Sequence, residues 1–161
     1  MYEAEYGLPI LEMIQRLVAA CVAGALVGWD RERKNKPAGL RTHMLVTLGS
    51  ASFCILGFEL GSTSSAGGAV DPMRVLQGVV GGIGFLGAGS IIESRGHVRG
   101  VTTAAGLWMS GSLGAACGIG AYYLAGLSLA LTLFVLIVVG RFERRLIKPG
   151  AAASSPSKPP S

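Results

Sequence analysis

The feature that most constrains this chain is the alternation of long apolar runs with short polar or basic segments. A helical run of about 18–20 apolar residues crosses a hydrocarbon core about 30 Å thick. Inside lipid the backbone must satisfy its own hydrogen bonds, so such runs are read as helices. Five are visible: about Ile10–Trp29, His43–Leu60, Pro72–Ile92, Val101–Cys117 and Tyr122–Gly140. The predicted fold is therefore all-α, an integral membrane bundle of five transmembrane helices. Residues 1–148 form the membrane domain, and 149–161, rich in Ala, Ser and Pro, form a disordered tail.

Composition agrees with this reading. Only 14% of the residues are charged, against about a quarter in soluble domains. The formal charge of +5 raises nucleic acid as a partner. The basic residues sit in short loops, however, and make no soluble face that would track phosphates. Cys21, Cys54 and Cys117 each lie in an apolar run without a CxxC pair, so they read as small packing residues. The first residues carry Glu3 and Glu5 and no basic n-region, so no removable signal peptide is expected.

Orientation follows from lysine and arginine placement. Arg31, Arg33, Lys34, Lys36 and Arg41 lie between the first two spans, Arg95 and Arg99 between the third and fourth, and Arg141, Arg144, Arg145 and Lys148 after the fifth. The N-terminal segment, the 61–71 loop and the 118–121 turn have none. This pattern predicts the N-terminus outside and the C-terminus in the cytoplasm. Trp29, Tyr122 and Tyr123 fall where an aromatic belt would place them.

Helices in lipid associate through small residues that let backbones approach. Gly24 and Gly28 in the first span, and Gly114 and Gly118 in the fourth, supply such spacing. The run GVVGGIGFLGAG at 78–89, with Gly78, Gly82, Gly84 and Gly87, predicts a third helix at the bundle centre, touched on several sides. The bulky fifth span is expected to face lipid. Gly82, Gly84 and Gly87 also spell G-x-G-x-x-G, but no strand precedes it and no acid follows at the spacing a dinucleotide site needs, so no cofactor is expected.

Charges in or beside spans need partners or functions. Glu12 and Arg16, four apart on one face, predict an ion pair. Asp71 before Pro72 predicts a helix N-cap. Glu59 and Asp71, with Arg74 beside them, are weak candidates for a divalent cation, because hard cations take oxygen ligands; capping explains Asp71 equally well. Asp30, Glu32, Arg41, Thr42 and His43 in one basic loop, and Arg99, Thr102 and Thr103 in the other, are the candidates for binding a protein, a phosphate or an ion. The alternative is plain topology and attraction to anionic lipid. No hydrolase, metalloprotease or Walker signature occurs, so no enzyme chemistry is expected.

Several of these segments bring a resemblance. GWDRE at 28–32, AGLRTH at 38–43, DPMRVLQGVVGGIGFLGAGSII at 71–92 and VRGVTTAAGLWMSGSLGAACGIGAYYLA at 98–125 are similar to the MgtC/SapB family of bacterial inner-membrane proteins. Asp30 stands where family members usually carry Glu, and Gly106 where Thr is common. The resemblance implies a five-span, multi-pass protein of the bacterial inner membrane, linked to adaptation to magnesium limitation and, in pathogens, to survival inside macrophages and virulence. It implies a regulator of another membrane protein such as the ATP synthase, and a short form without the C-terminal ACT-like domain of longer members. The alternative is a small transporter or channel for Mg²⁺ or another cation. The partners expected are the bilayer and another membrane protein, with a homo-oligomer as a further alternative.

Overall fold

The structure, a computed structural model, describes residues 7–63, 71–94 and 97–147. Helix α1 spans Ile10–Arg33, α2 Leu40–Thr63, α3 Pro72–Gly89 and α4 Val101–Gly118. α5 (Tyr122–Phe134) runs through a π-helical stretch, Val135–Val139, into α6 (Gly140–Ile147). Among the described residues three stretches, Ile10–Arg33, Leu40–Gly61 and Tyr122–Phe142, are long and apolar enough to cross a membrane. α3 and α4 have 18 residues each, or about 27 Å at 1.5 Å per residue.

The helix ends follow from local chemistry. Asp71 caps α3, its carboxylate accepting from the Met73 amide at 2.9 Å, with Pro72 in the first turn. α1 ends in a Schellman motif: Asn35, at φ 49°, donates to the Glu32 carbonyl, and Lys36 donates to the Arg31 carbonyl. α4 ends the same way. Gly120, at φ 82°, donates to the Cys117 carbonyl and Ala121 to that of Ala116. This is the tight break expected at 118–120.

α4 is the centre of the bundle. Its buried residues include Thr103, Gly106, Leu107, Ser110, Gly111, Leu113, Gly114 and Gly118. α2 lies along it in parallel. A Cβ on Gly114 would meet the Thr47 backbone, and one on Gly118 would lie 2.6 Å from the Ala51 carbonyl oxygen. α1 packs antiparallel on the same α2 strip. A Cβ on Gly24 would lie 2.9 Å from Met44 Cα, and one on Gly28 would lie 2.7 Å from Leu40 Cα. Between these approaches the core is filled by small side chains: Ala20, Ala51, Ala116, Cys117 and Ala125 in one cluster, and Ala23, Val27 and Leu113 in another. Dispersion across close backbones is what such contacts supply in lipid. α5 exposes Leu124, Leu127, Leu131 and Phe134 on its outer face.

Three expectations are corrected. α3 is not central. A Cβ on Gly78, Gly82 or Gly84 would meet nothing, and Phe85 is 80% exposed. α3 leans on one side only, where the Ile83 side chain fills the space that a Cβ on Gly111 would take, and Gly87 lies in ordinary contact distance of Ala104. The basic segment after the third span is also not a plain loop, and that span ends at Gly89 rather than Ile92. β1 (Ile92–Ser94) pairs antiparallel with β2 (His97–Arg99), Ile92 opposite Arg99. The hairpin returns through Gly100, at φ 92°, where any Cβ would collide with the Ser90 carbonyl oxygen. The proposed tail, 149–161, lies outside the described residues.

Gly114→Ala should lower the melting temperature of the detergent-solubilised protein, because overpacking against fixed backbone costs about 1–3 kcal/mol. Gly82→Ala should leave it unchanged or raise it, since alanine in a helix is favoured by about 1 kcal/mol and nothing obstructs it here. Equal losses at both positions would contradict the peripheral placement of α3.

Candidate functional site at the basic end

The end of the bundle where α1 stops and α2 and α4 begin gathers most of the sequence candidates. α1 carries one continuous buried face: Ala20, Ala23, Gly24, Val27, Gly28 and then Arg31. Three- and four-residue steps keep these positions on one side of the helix. Arg31 is thus carried into the core although it stands in a basic segment. It is only 3% exposed, and its Nη2 donates to Thr103 Oγ1 on α4 at 2.6 Å. Arg31 Nε has no hydrogen-bond partner.

Two helical turns deeper along α4, His43 on α2 is 0% exposed, with its Nδ1 2.7 Å from Ser110 Oγ. Thr47 continues this polar strip along α2 and donates to the Met44 carbonyl at 2.9 Å. Thr103 and Ser110 lie seven residues apart, two turns along one face of α4. The pairs Arg31–Thr103 and His43–Ser110 therefore fasten α1 and α2 to the same side of the central helix. The hydrogen bond to the charged Arg31 guanidinium contributes about 1.5–3 kcal/mol, and the His43–Ser110 bond about 0.5–1.5 kcal/mol.

The remaining candidates divide. Lys34 Nζ lies 2.8 Å from the Asp30 carboxylate and donates to the Leu136 carbonyl at 2.9 Å, inside the π-helical stretch. Glu32 Oε2 accepts the Leu40 amide at 2.9 Å, satisfying one orphan donor at the start of α2. Arg99 and Thr102 are exposed on the wall of a cavity of ≈ 1570 Å³ that opens between the end of α1, the start of α4 and the π-helical stretch. Arg41 and Thr42 are exposed on another side and line a groove between α2 and α3.

Asp71 and Arg74 lie at the far end of the bundle, where Asp71 serves as a cap and Glu59 is buried. No group of three or more His, Cys, Asp or Glu that would hold a metal forms among the described residues. Also at the far end, Arg16 Nη2 pairs with Glu12 at 2.5 Å while Nη1 donates to the Gly118 carbonyl at 2.7 Å. That places a cation at the C-terminus of α4, where the helix dipole favours it.

Sequence reasoning took Arg31 only as a topology charge. The available signal for Arg31 was its register on the Ala20–Gly24–Gly28 stripe.

Long apolar helices packed through glycine and alanine, with ionisable side chains buried between them, define a helical membrane protein. The chain belongs to the MgtC family, whose profile matches residues 17–145. It is 39% identical over 140 residues to a protein of Escherichia coli K12 named "Putative magnesium transporter YhiD", covering 84% of this chain and 64% of that one. It is 39% identical over 137 residues to Protein SrpB of Synechococcus elongatus, covering 80% and 74%. It is 41% identical over 123 residues to Protein MgtC of Salmonella typhimurium, covering 76% and 49%. The matched part thus amounts to less than two-thirds of YhiD and about half of that MgtC. No solved structure gives a significant match.

Thr103→Val should lower stability by about 2 kcal/mol, because it leaves the buried Arg31 guanidinium without its acceptor. Thr102→Val, at an exposed neighbouring position, should change stability by less than about 0.5 kcal/mol. Thermal unfolding in detergent distinguishes the two, and similar values for both would deny the buried pair its role.

Proposed function

We propose that this is a five-span protein of the bacterial inner membrane, with its N-terminus outside and its C-terminus in the cytoplasm. It acts without catalysis on another membrane protein during adaptation to magnesium limitation, the ATP synthase being one such partner. Membership of the MgtC family and the relatives' names support the link to magnesium. Alternation of direction from α1 to α4 supports the span count, and the basic end falls on the cytoplasmic side by the positive-inside rule.

The observation that carries the regulatory reading is the sign of the charge at the basic end. Six arginines and lysines line the cavity there, and its single acid among the described residues, Asp30, is paired with Lys34. Mg²⁺ sites and cation pores present carboxylate or carbonyl oxygens instead. A cationic surface held on a rigid polar frame suits recognition better than cation passage.

The second reading, a Mg²⁺ transporter, is favoured by the name of the E. coli relative. Liposomes containing the purified, folded chain should take up Mg²⁺ no faster than empty liposomes. Saturable uptake that falls in Asp71→Asn would replace the regulator with a transporter. In cells grown in low magnesium, crosslinking should capture a defined membrane protein, and Arg99→Ala or Arg41→Ala should abolish that capture while leaving insertion intact. Capture unchanged in both variants would count against these loops as the contact.

A further inference from the structure

The cavity at the basic end has the composition of an anion site, independently of which partner or ion the protein serves. Among the described residues its wall carries Arg31, Arg33, Lys34, Lys36, Arg99 and Arg141 against one carboxylate, Asp30. That carboxylate is already engaged by Lys34 at 2.8 Å. Solvated surface charges alone would say little. Two further features give the cavity a built interior.

The first is the start of α4. Its N-cap is Gly100, which has no side chain to accept from the first turn, and the intrahelical ladder begins with Ala104 donating to the Gly100 carbonyl. The amides of Val101, Thr102 and Thr103 precede that first bond, and all three residues belong to the cavity wall. An 18-residue helix directs its positive dipole end to the same place.

The second is Arg31. It is buried and lines the cavity, its Nη2 is fixed on Thr103, and its Nε lacks any hydrogen-bond partner. Burying a guanidinium with an unsatisfied N–H is costly unless a negative group completes it. Because Thr103 Oγ1 accepts from Arg31, its own hydroxyl proton remains to donate elsewhere.

We propose that this cavity binds a phosphate group, held between the Arg31 guanidinium, the N-terminal amides and hydroxyls of α4, and the outer ring formed by Arg99, Arg141 and Lys36. Phosphate matches the arrangement because it offers several acceptor oxygens and up to two negative charges to a set of donors converging from different elements. The apolar part of the wall, Leu26, Leu133 and Leu136 among it, leaves room for the rest of a larger molecule that carries the group. The source is either the headgroup of an anionic phospholipid, whose chains would lie along Leu26, Leu133 and Leu136, or a soluble phosphorylated compound.

The test uses the full chain purified in a neutral detergent, in two arms. In the first, inorganic phosphate and pyrophosphate are titrated at constant ionic strength against chloride while the melting temperature is followed. In the second, native mass spectrometry counts phosphatidylglycerol retained from mixed micelles. Arg99→Gln and Arg141→Gln, both at exposed positions, remove ring charges without disturbing the core. Arg74→Gln, at the far end, is the control.

A saturable stabilisation by phosphate or pyrophosphate that weakens about tenfold in either ring variant, the equivalent of one charge-assisted hydrogen bond, establishes the site with a soluble source. Retention of phosphatidylglycerol that is lost in the ring variants but kept in Arg74→Gln establishes it with a lipid source. Absence of both effects, or effects equal in all three variants, overturns the site. Mg²⁺ flux and partner capture are separate readouts, so the proposed function stands or falls apart from this result.

Discussion

Everything in this bundle depends on one strip of α2 that has no room on either side. Thr47 is its midpoint. A Cβ on Gly24 of α1 would strike the Thr47 hydroxyl, and a Cβ on Gly114 of α4 would strike the Thr47 backbone. Three helices therefore meet at backbone separation. In lipid, where apolar burial gives no driving force between helices, this proximity and the polar contacts it permits are the main sources of association. Because the backbones are so close, side chains on α1 and α2 reach hydroxyls on α4 directly. His43 reaches Ser110, and Arg31 reaches Thr103, across the same seam. The polar pairs are thus a consequence of the glycine contacts.

This dependence explains how function sits on the fold. The seam is lined by small residues and buried hydroxyls in its middle, carries His43 and Arg31 toward one end, and ends in the cationic cavity. Arg31 belongs to both regions, bonded to the core through Nη2 while lining the cavity wall. A change in what fills the cavity therefore has a direct structural route into the α1–α4 contact, and a disturbance of the seam alters the cavity in return.

Much of this was legible in the sequence because lipid imposes strong rules. Apolar length marked the helices, Asp71-Pro72 marked the start of α3, and Glu12 with Arg16 marked an ion pair that the structure contains. The α3 misreading shows where such rules stop. Glycine content is the same whether a helix is central or peripheral. What decides is whether a neighbour has the complementary shape, as Ile83 does for Gly111, and that is a property of two segments at once. The hairpin was invisible because strands of three residues are too short to show an alternation. Arg31 was missed because positive charge at a helix end already has a sufficient topological explanation.

The corner between α1 and α2 carries a last consequence. It is closed by the Schellman bonds of Asn35 and Lys36, and by the Glu32 carboxylate on the Leu40 amide in the space where a Cβ on Gly39 would otherwise sit. Arg33 and Lys36 are therefore displayed from a backbone that is already ordered. A binding partner that meets a floppy basic loop loses part of its interaction energy to freezing the loop, at about 1–2 kcal/mol for each residue fixed. Here that loss was incurred when the chain folded. The corner behaves as a preorganised epitope, so shape as well as charge can discriminate between the molecules that approach it.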